Sequence, residues 1–124
     1  MEACIALNEF AGYFHSRKMG REINRDEALS ILADCEEKGL VHQVPTGEHP
    51  DVICNCCTCC CIVLRSFQVT NKSYLVGSGF HPQWDEEKCS LCLTCMDACP
   101  FEALSEDEGK PVLFLERCLG CGQC

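Results

Sequence analysis

Two cysteine runs near the end of the chain decide the reading. They are Cys89-Ser90-Leu91-Cys92-Leu93-Thr94-Cys95-Met96-Asp97-Ala98-Cys99-Pro100 and Cys118-Leu119-Gly120-Cys121-Gly122-Gln123-Cys124. The first is C-x2-C-x2-C-x3-C followed by proline, a spacing at which four thiolates wrap an iron–sulfur cube. The two-residue gaps turn successive sulfurs inward around one cube face, and the intervening N–H groups point at the sulfides. The second run repeats the spacing as far as its third cysteine.

The repeat has an offset of 29 residues: Glu87-Lys88-Cys89 maps onto Glu116-Arg117-Cys118, Cys92 onto Cys121 and Cys95 onto Cys124. Zinc sites also use C-x2-C pairs, but in paired units that supply four ligands. A repeated C-x2-C-x2-C-x3-C-P run belongs to iron–sulfur chemistry.

Fifteen cysteines in 124 residues would also suit a secreted disulfide scaffold. Three features argue against it. The opening Met1-Glu2-Ala3-Cys4-Ile5 lacks a basic segment followed by an apolar run. The cysteine count is odd, and most cysteines fall at metal-ligand spacings. The expected compartment is a reducing cytoplasm of an anaerobic cell. No apolar stretch approaches the roughly 18 residues that span a membrane. The formal net charge of −9 argues against nucleic acid and anionic membrane as partners. It suits docking on a basic patch of a redox partner, and it equally suits simple solubility.

The expected fold class is α+β, with a helical N-terminal segment at 1–51, a cysteine-rich block and linker at 52–82, and a cluster-binding module at 83–124. Ala3, Leu7, Phe10 and Phe14 recur at helical spacing and predict a first helix, which Gly20 breaks. Asn24 and Glu27 form the signature of a capping box that starts a second helix. Its apolar face carries Ala28, Leu29, Ile31, Leu32 and Cys35, with Lys38 in the last turn and Gly39 at the cap. Leu40–Val44 alternates like a short strand, and residues 45–51 are turn chemistry. This helix–strand sequence resembles the end of a winged helix-turn-helix, but no basic recognition surface accompanies it. In the module, Cys99-Pro100 closes a short helical turn and Ala103-Leu104 begins a strand. Ser105–Lys110 reads as a polar hairpin turn and Pro111–Leu115 as the returning strand. Leu91, Leu93, Phe101, Leu104, Val112, Phe114 and Leu119 are the candidates to shield a cluster from water.

At Cys89–Pro100 and Cys118–Cys124 the chain resembles bacterial-type two-cluster ferredoxin domains. The resemblance implies a ferredoxin-like module with a pseudo-twofold repeat, here truncated, and two [4Fe-4S] clusters in a longer protein. It implies seven ligands: Cys89, Cys92, Cys95, Cys99, Cys118, Cys121 and Cys124. In such domains the fourth cysteine of each run serves the other cluster. Cys99 then joins Cys118, Cys121 and Cys124, and Cys89, Cys92 and Cys95 lack a fourth ligand in this chain. That ligand is expected three residues beyond Cys124, which makes the chain a fragment of a longer protein. A three-iron cluster or an outside ligand is the alternative. The wider arrangement, from Gly20-Arg21-Glu22-Ile23 through Ile53-Cys54-Asn55-Cys56-Cys57 to the module, resembles iron–sulfur proteins of anaerobic prokaryotes that have no assigned reaction.

The block Cys54-Asn55-Cys56-Cys57-Thr58-Cys59-Cys60-Cys61 puts six thiols in eight residues. Neighbouring side chains splay to opposite sides of an extended chain, so they cannot all face one core. Cys54, Cys56, Cys57, Cys59, Cys60 and Cys61 are therefore candidates for an additional metal site, of which some subset ligates. A third iron–sulfur cluster is the preferred reading. A mononuclear metal, a redox-active thiol cluster and inert buried cysteines remain open. Cys4, Cys35, His42 and His49 are the nearest further ligands. Cys4 and Cys35 sit on predicted apolar helix faces, where a buried thiol is usual.

The expectation is iron–sulfur binding and electron transfer between donor and acceptor proteins, as a module of a larger protein. The competing reading is part of an anaerobic oxidoreductase with a catalytic or extra cluster at Cys54–Cys61. No phosphate loop, no Ser-His-Asp set and no paired-carboxylate site offers other chemistry.

Overall fold

The computed structural model describes residues 2–70 and 76–124; Met1 and residues 71–75, the latter inside the expected block and linker, lie outside them. The chain divides into two compact units, Met1–Cys56 and Cys57–Cys124. The division runs through the cysteine block. Helices and small antiparallel sheets alternate, a mixed α+β composition.

The first unit is built on a three-stranded antiparallel sheet in the order β1-β3-β2, with β1 at Cys4–Ala6, β2 at Val41–Gln43 and β3 at Val52–Cys56. Helix α1, Asn8–Ser16, begins later than the spacing of Ala3 and Leu7 predicts. Residues 4–6 are strand instead. Ile5 pairs with Ile53 and is buried, and the Asn55 N–H donates to the Ala3 carbonyl at 3.2 Å. Tertiary pairing here overrides a helical spacing of apolar residues. Helix α1 ends before Gly20: Lys18, at φ +56°, takes the left-handed position, and the Met19 N–H donates to the Phe14 carbonyl at 3.0 Å.

Helix α2, Arg25–Glu37, forms as its boundary residues demand. Asn24 Oδ1 accepts from the Glu27 N–H at 2.9 Å, and Glu27 Oε2 accepts from the Asn24 N–H at 3.4 Å. Such a cap is worth about 1 kcal/mol. At the other end Gly39 sits at φ +69°, its N–H donates to the Glu36 carbonyl, and the Leu40 N–H donates to the Cys35 carbonyl. These two bonds define a Schellman motif. Cys35 is fully buried, whereas Leu29 is on the exposed side of the helix. The polar Asn55 is also buried. It is satisfied on both sides: His42 Nδ1 lies 2.5 Å from its Oδ1, and its Nδ2 donates to the Ala3 carbonyl at 2.8 Å.

The second unit holds helix α3 at Ile62–Thr70, a one-turn helix α4 at Thr94–Ala98, and a hairpin of β4, Leu104–Asp107, with β5, Lys110–Leu113. The hairpin turn is only Glu108-Gly109, tighter than the polar stretch predicts, because Ser105 and Glu106 pair with Val112 and Pro111. A 3₁₀ turn, Leu115–Arg117, leads into Cys118. Leu64, Phe67, Phe101 and Ala103 form the core. The Phe67 and Phe101 rings meet edge-on at 5.7 Å, and Gln68 Nε2 donates to the Pro100 carbonyl at 2.9 Å. Helix α3 thereby buttresses the Cys99-Pro100-Phe101 corner.

Candidate metal centre

Cysteine runs of this kind must expose sulfurs and N–H groups on the same side. The backbone does this by alternating handedness. In the first run Leu91 and Leu93 have φ of +57° and +59°. In the second run Gly120 and Gly122 have φ of +66° and +81°. These positions are related by the 29-residue offset, so the two runs share a left-handed backbone at both matched positions. Left-handed residues set between residues of ordinary φ can turn successive N–H groups to one side, a form that suits anions and iron–sulfur groups. The left-handed conformation is costly for leucine, about 1–2 kcal/mol per residue. Leucines held there in the first run show that the loop geometry outweighs local preference.

The runs border two adjoining cavities. The first, of about 300 Å³, is lined by Cys99, Cys118, Cys121 and Cys124, with Phe101, Leu104, Leu113 and Leu119 among its apolar walls. The second, of about 510 Å³, is lined by Cys89, Cys92, Cys95 and Cys124, with Leu93, Trp84 and Pro111 beside them. Cys99, the last cysteine of the first run, therefore joins the three of the second run. Cys124, Leu104, Leu113, Pro82 and Gln83 face both spaces. One water occupies about 30 Å³ of liquid, so each cavity has room for a polyatomic group.

Sulfur spacing points the same way. A tetrahedral zinc with Zn–S near 2.3 Å would hold its sulfurs about 3.8 Å apart. Among the described residues only Cys57, Cys59 and Cys60 bring three ligand atoms within 4.8 Å of one another. Among the described residues, no three cysteines of either cavity bring their sulfurs within that distance of one another. Four soft sulfur donors around an apolar space fit an iron–sulfur cluster in the first cavity. Cys89, Cys92 and Cys95 offer the same donors to the second.

Hydrogen bonds to sulfur are already in place. The Leu91 N–H donates to Cys89 Sγ at 3.4 Å, the Ala103 N–H to Cys99 Sγ at 3.3 Å, and Thr94 Oγ1 to Cys92 Sγ at 3.3 Å. The bonds from Thr94, side chain then backbone, and from Ser90 lower the Cys92 thiol to about 7. Burial raises Cys121. Burial also raises Cys124, helped by the nearby Cys99, Cys118 and Cys95 thiols. In both cases a thiolate-ligated cation would supply the charge compensation that the apolar wall does not.

The shielding residues are partly those the sequence suggests. Phe101 is buried, and Leu93, Leu104 and Leu119 line the cavities. Val112, Phe114 and Leu91 are more than a third exposed, and the cavity wall is Leu113 instead. The hairpin register explains the change. Leu104 pairs with Leu113, which puts both on one face and Val112 on the other. Sequence reading also misses the segment 78–84. Ser78 N–H donates to the Leu119 carbonyl at 3.1 Å and Ser78 Oγ to the Gly120 carbonyl at 2.7 Å, while Pro82 and Gln83 border both cavities. No local signal marks that role.

The six-cysteine block is divided. Cys54 and Cys56 lie on β3, on one face of the sheet with Cys4, which pairs with Cys54. Cys4 is thus an exposed strand residue, not a helical one, while Cys35 is a buried thiol as expected. His42 is engaged with Asn55, and His49 is exposed. Cys57, Cys59, Cys60 and Cys61 belong to the turn that precedes α3, where Cys57 and Cys59 form a disulfide.

No helix among the described residues is long and apolar enough to cross a membrane. No curated protein and no solved structure matches the chain. The family model described as a 4Fe-4S binding domain matches residues 82–105, which contain Cys89, Cys92, Cys95 and Cys99, and so supports iron–sulfur binding by this chain.

Proposed function

We propose that residues 83–124 are a two-cluster ferredoxin-type electron-transfer module, working between donor and acceptor proteins inside an anaerobic cytoplasm. The observation that supports this most is the pair of adjoining cysteine-lined cavities, with Cys99 crossing from its own run to join Cys118, Cys121 and Cys124. A bound cluster supplies one-electron transfer at a potential set by burial, charge and hydrogen bonds to sulfur. The chain's own residues do the rest. The left-handed loops direct N–H groups inward. Leu104 and Leu113 keep water from the shared wall, and Cys99, Cys118, Cys121 and Cys124 hold the first cluster. Cys89, Cys92 and Cys95 contribute three ligands to the second. The acidic balance of the chain, −9, speeds encounter with a basic partner at low salt.

An anaerobic native mass spectrum after loading with iron and sulfide, with zinc in competition, tests this directly. One four-iron cluster plus a second of three or four irons is the expected result. Zinc alone, or metal-free protein, refutes the reading. In the Cys99→Ser variant the first cavity should lose its cluster and the Cys89, Cys92 and Cys95 site should keep its own. The reverse loss would overturn the ligand assignment.

A further inference from the structure

The turn before α3 places three thiols where bond exchange is possible. Cys57 is disulfide-bonded to Cys59, and Cys57 Sγ lies 3.3 Å from Cys60 Sγ. That separation is within the 3–3.5 Å of a near-attack arrangement. Cys59 and Cys60 are exposed and Cys57 is half-buried. The turn is tethered to a helix: the Cys61 N–H donates to the Cys57 carbonyl at 3.2 Å, the Arg65 N–H to the Cys61 carbonyl at 2.9 Å, and Arg65 Nη1 to the Cys59 carbonyl at 3.2 Å. Leu64, fully buried, anchors that helix. Electron transfer through the cavities uses none of these groups.

We propose that Cys57, Cys59 and Cys60 form a thiol–disulfide exchange centre for external thiols and disulfides, with Cys57 as the shared sulfur. Thiolate attack on a disulfide sulfur is the elementary step. Within the turn, Cys60 loses its proton to water and its thiolate attacks Cys57 Sγ. The Cys57–Cys60 bond forms, the Cys57–Cys59 bond breaks, and the electron pair leaves on Cys59. No oxidant or reductant is consumed. With an external disulfide, the reduced turn reacts in two steps. The Cys59 thiolate attacks the disulfide, forms a mixed disulfide and releases one thiol. Cys57 then attacks Cys59 Sγ, closes the Cys57–Cys59 bond and releases the second thiol. Two protein thiols are oxidised and one disulfide is reduced to two thiols. Exposure favours such reactivity, since exposed disulfides are the labile ones.

The test uses the full chain under nitrogen in glutathione and glutathione disulfide, followed by acid quench and peptide mass mapping. Wild type should show Cys57–Cys59 and Cys57–Cys60 bonds and no lasting glutathione adduct. Cys57→Ser should lose both bonds and accumulate glutathione on Cys59 or Cys60, because the sulfur shared by both bonds is gone and a bond between the adjacent Cys59 and Cys60 is strained. Cys60→Ser should keep the Cys57–Cys59 bond and lose the other. Bonds scattered over all the block cysteines, or a Cys57→Ser chain no richer in adduct than wild type, would overturn the proposal. So would zinc or iron retained by the turn and blocking these thiols. Iron content read on a parallel aliquot loaded with iron and sulfide separates this result from the fate of the electron-transfer reading. A chain that takes up no cluster but makes these bonds refutes that reading alone.

Discussion

Gly120→Ala offers the sharpest test of how the second cysteine run is held. Gly120 has φ +66°, and a Cβ built there would collide with the Phe80 carbonyl oxygen and the Ser78 hydroxyl. Gly122, at φ +81°, has open space around the same point. Both substitutions carry the left-handed cost of about 1–2 kcal/mol. Only Gly120→Ala must also displace its neighbours. Ser78 can rotate away, but it then gives up its bond to the Gly120 carbonyl at 2.7 Å and its acceptance of the Phe80 N–H at 3.2 Å. At about 0.5–1.5 kcal/mol for each bond, that adds about 1–3 kcal/mol. The Phe80 carbonyl is backbone and moves only with the segment that borders the first cavity. Gly120→Ala should therefore cost about 2–5 kcal/mol in total, and Gly122→Ala only its conformational share.

The assay is urea unfolding of the iron–sulfur-loaded chain, followed by circular dichroism and by visible absorbance. With a slope near 2 kcal/mol/M, the extra cost lowers the midpoint of Gly120→Ala by about 0.5–1.5 M relative to Gly122→Ala. Visible absorbance of Gly120→Ala should also fade faster in an iron chelator. Equal midpoints and equal fading for the two variants would refute the clamp formed by residues 78–80.

Three further outcomes follow from local geometry. Asn24→Ala removes the acceptor of the Glu27 N–H and should lower stability by about 1 kcal/mol, read as a lower urea midpoint. Thr94→Val deletes the hydroxyl that bonds Cys92 Sγ, so the Cys92 thiol should titrate above its present value of about 7; the pH dependence of alkylation in metal-free chain reads this. Arg21 bonds Glu2 and Glu27 and holds both carboxyls below their usual 4.5. Their contribution is present above 4.5 and is lost as pH falls through the lower folded values. Arg21→Met should therefore flatten the acid limb of the stability profile while leaving unfolding at pH 2 nearly unchanged.

What the sequence discloses depends on how far apart the interacting residues lie. The capping box at Asn24 and Glu27 and the Schellman end at Gly39 are closed within five residues, and the residue types alone identify them. The cysteine spacing is equally local. Strand β1 is different. Its partners Ile53 and Cys54 lie some fifty positions away, so Ala3 and Leu7 read as helix until the sheet is seen. The block at Cys54–Cys56 was opaque for the same reason. Three residues of a cysteine run become a central strand only because β1 and β2 flank them. Register decides Leu113 over Val112 as cavity wall, and register is fixed by the tight Glu108-Gly109 turn.

One missed feature was nevertheless in reach. The 29-residue offset aligns Leu91 with Gly120 and Leu93 with Gly122. Glycine at two matched positions of the second run signals a left-handed backbone, and the repeat carries that inference to the leucines. The first run thus keeps its conformation with less help from local preference. Its loop depends more on what surrounds and fills it. The second run has glycines and the Ser78–Phe80 clamp to shape it before any cluster arrives. That asymmetry predicts an order of events: on titration with iron and sulfide, the Cys99, Cys118, Cys121 and Cys124 site fills first. Filling of the Cys89, Cys92 and Cys95 site before it, read in wild type against Cys99→Ser, would show that the leucine loop is the better organised of the two.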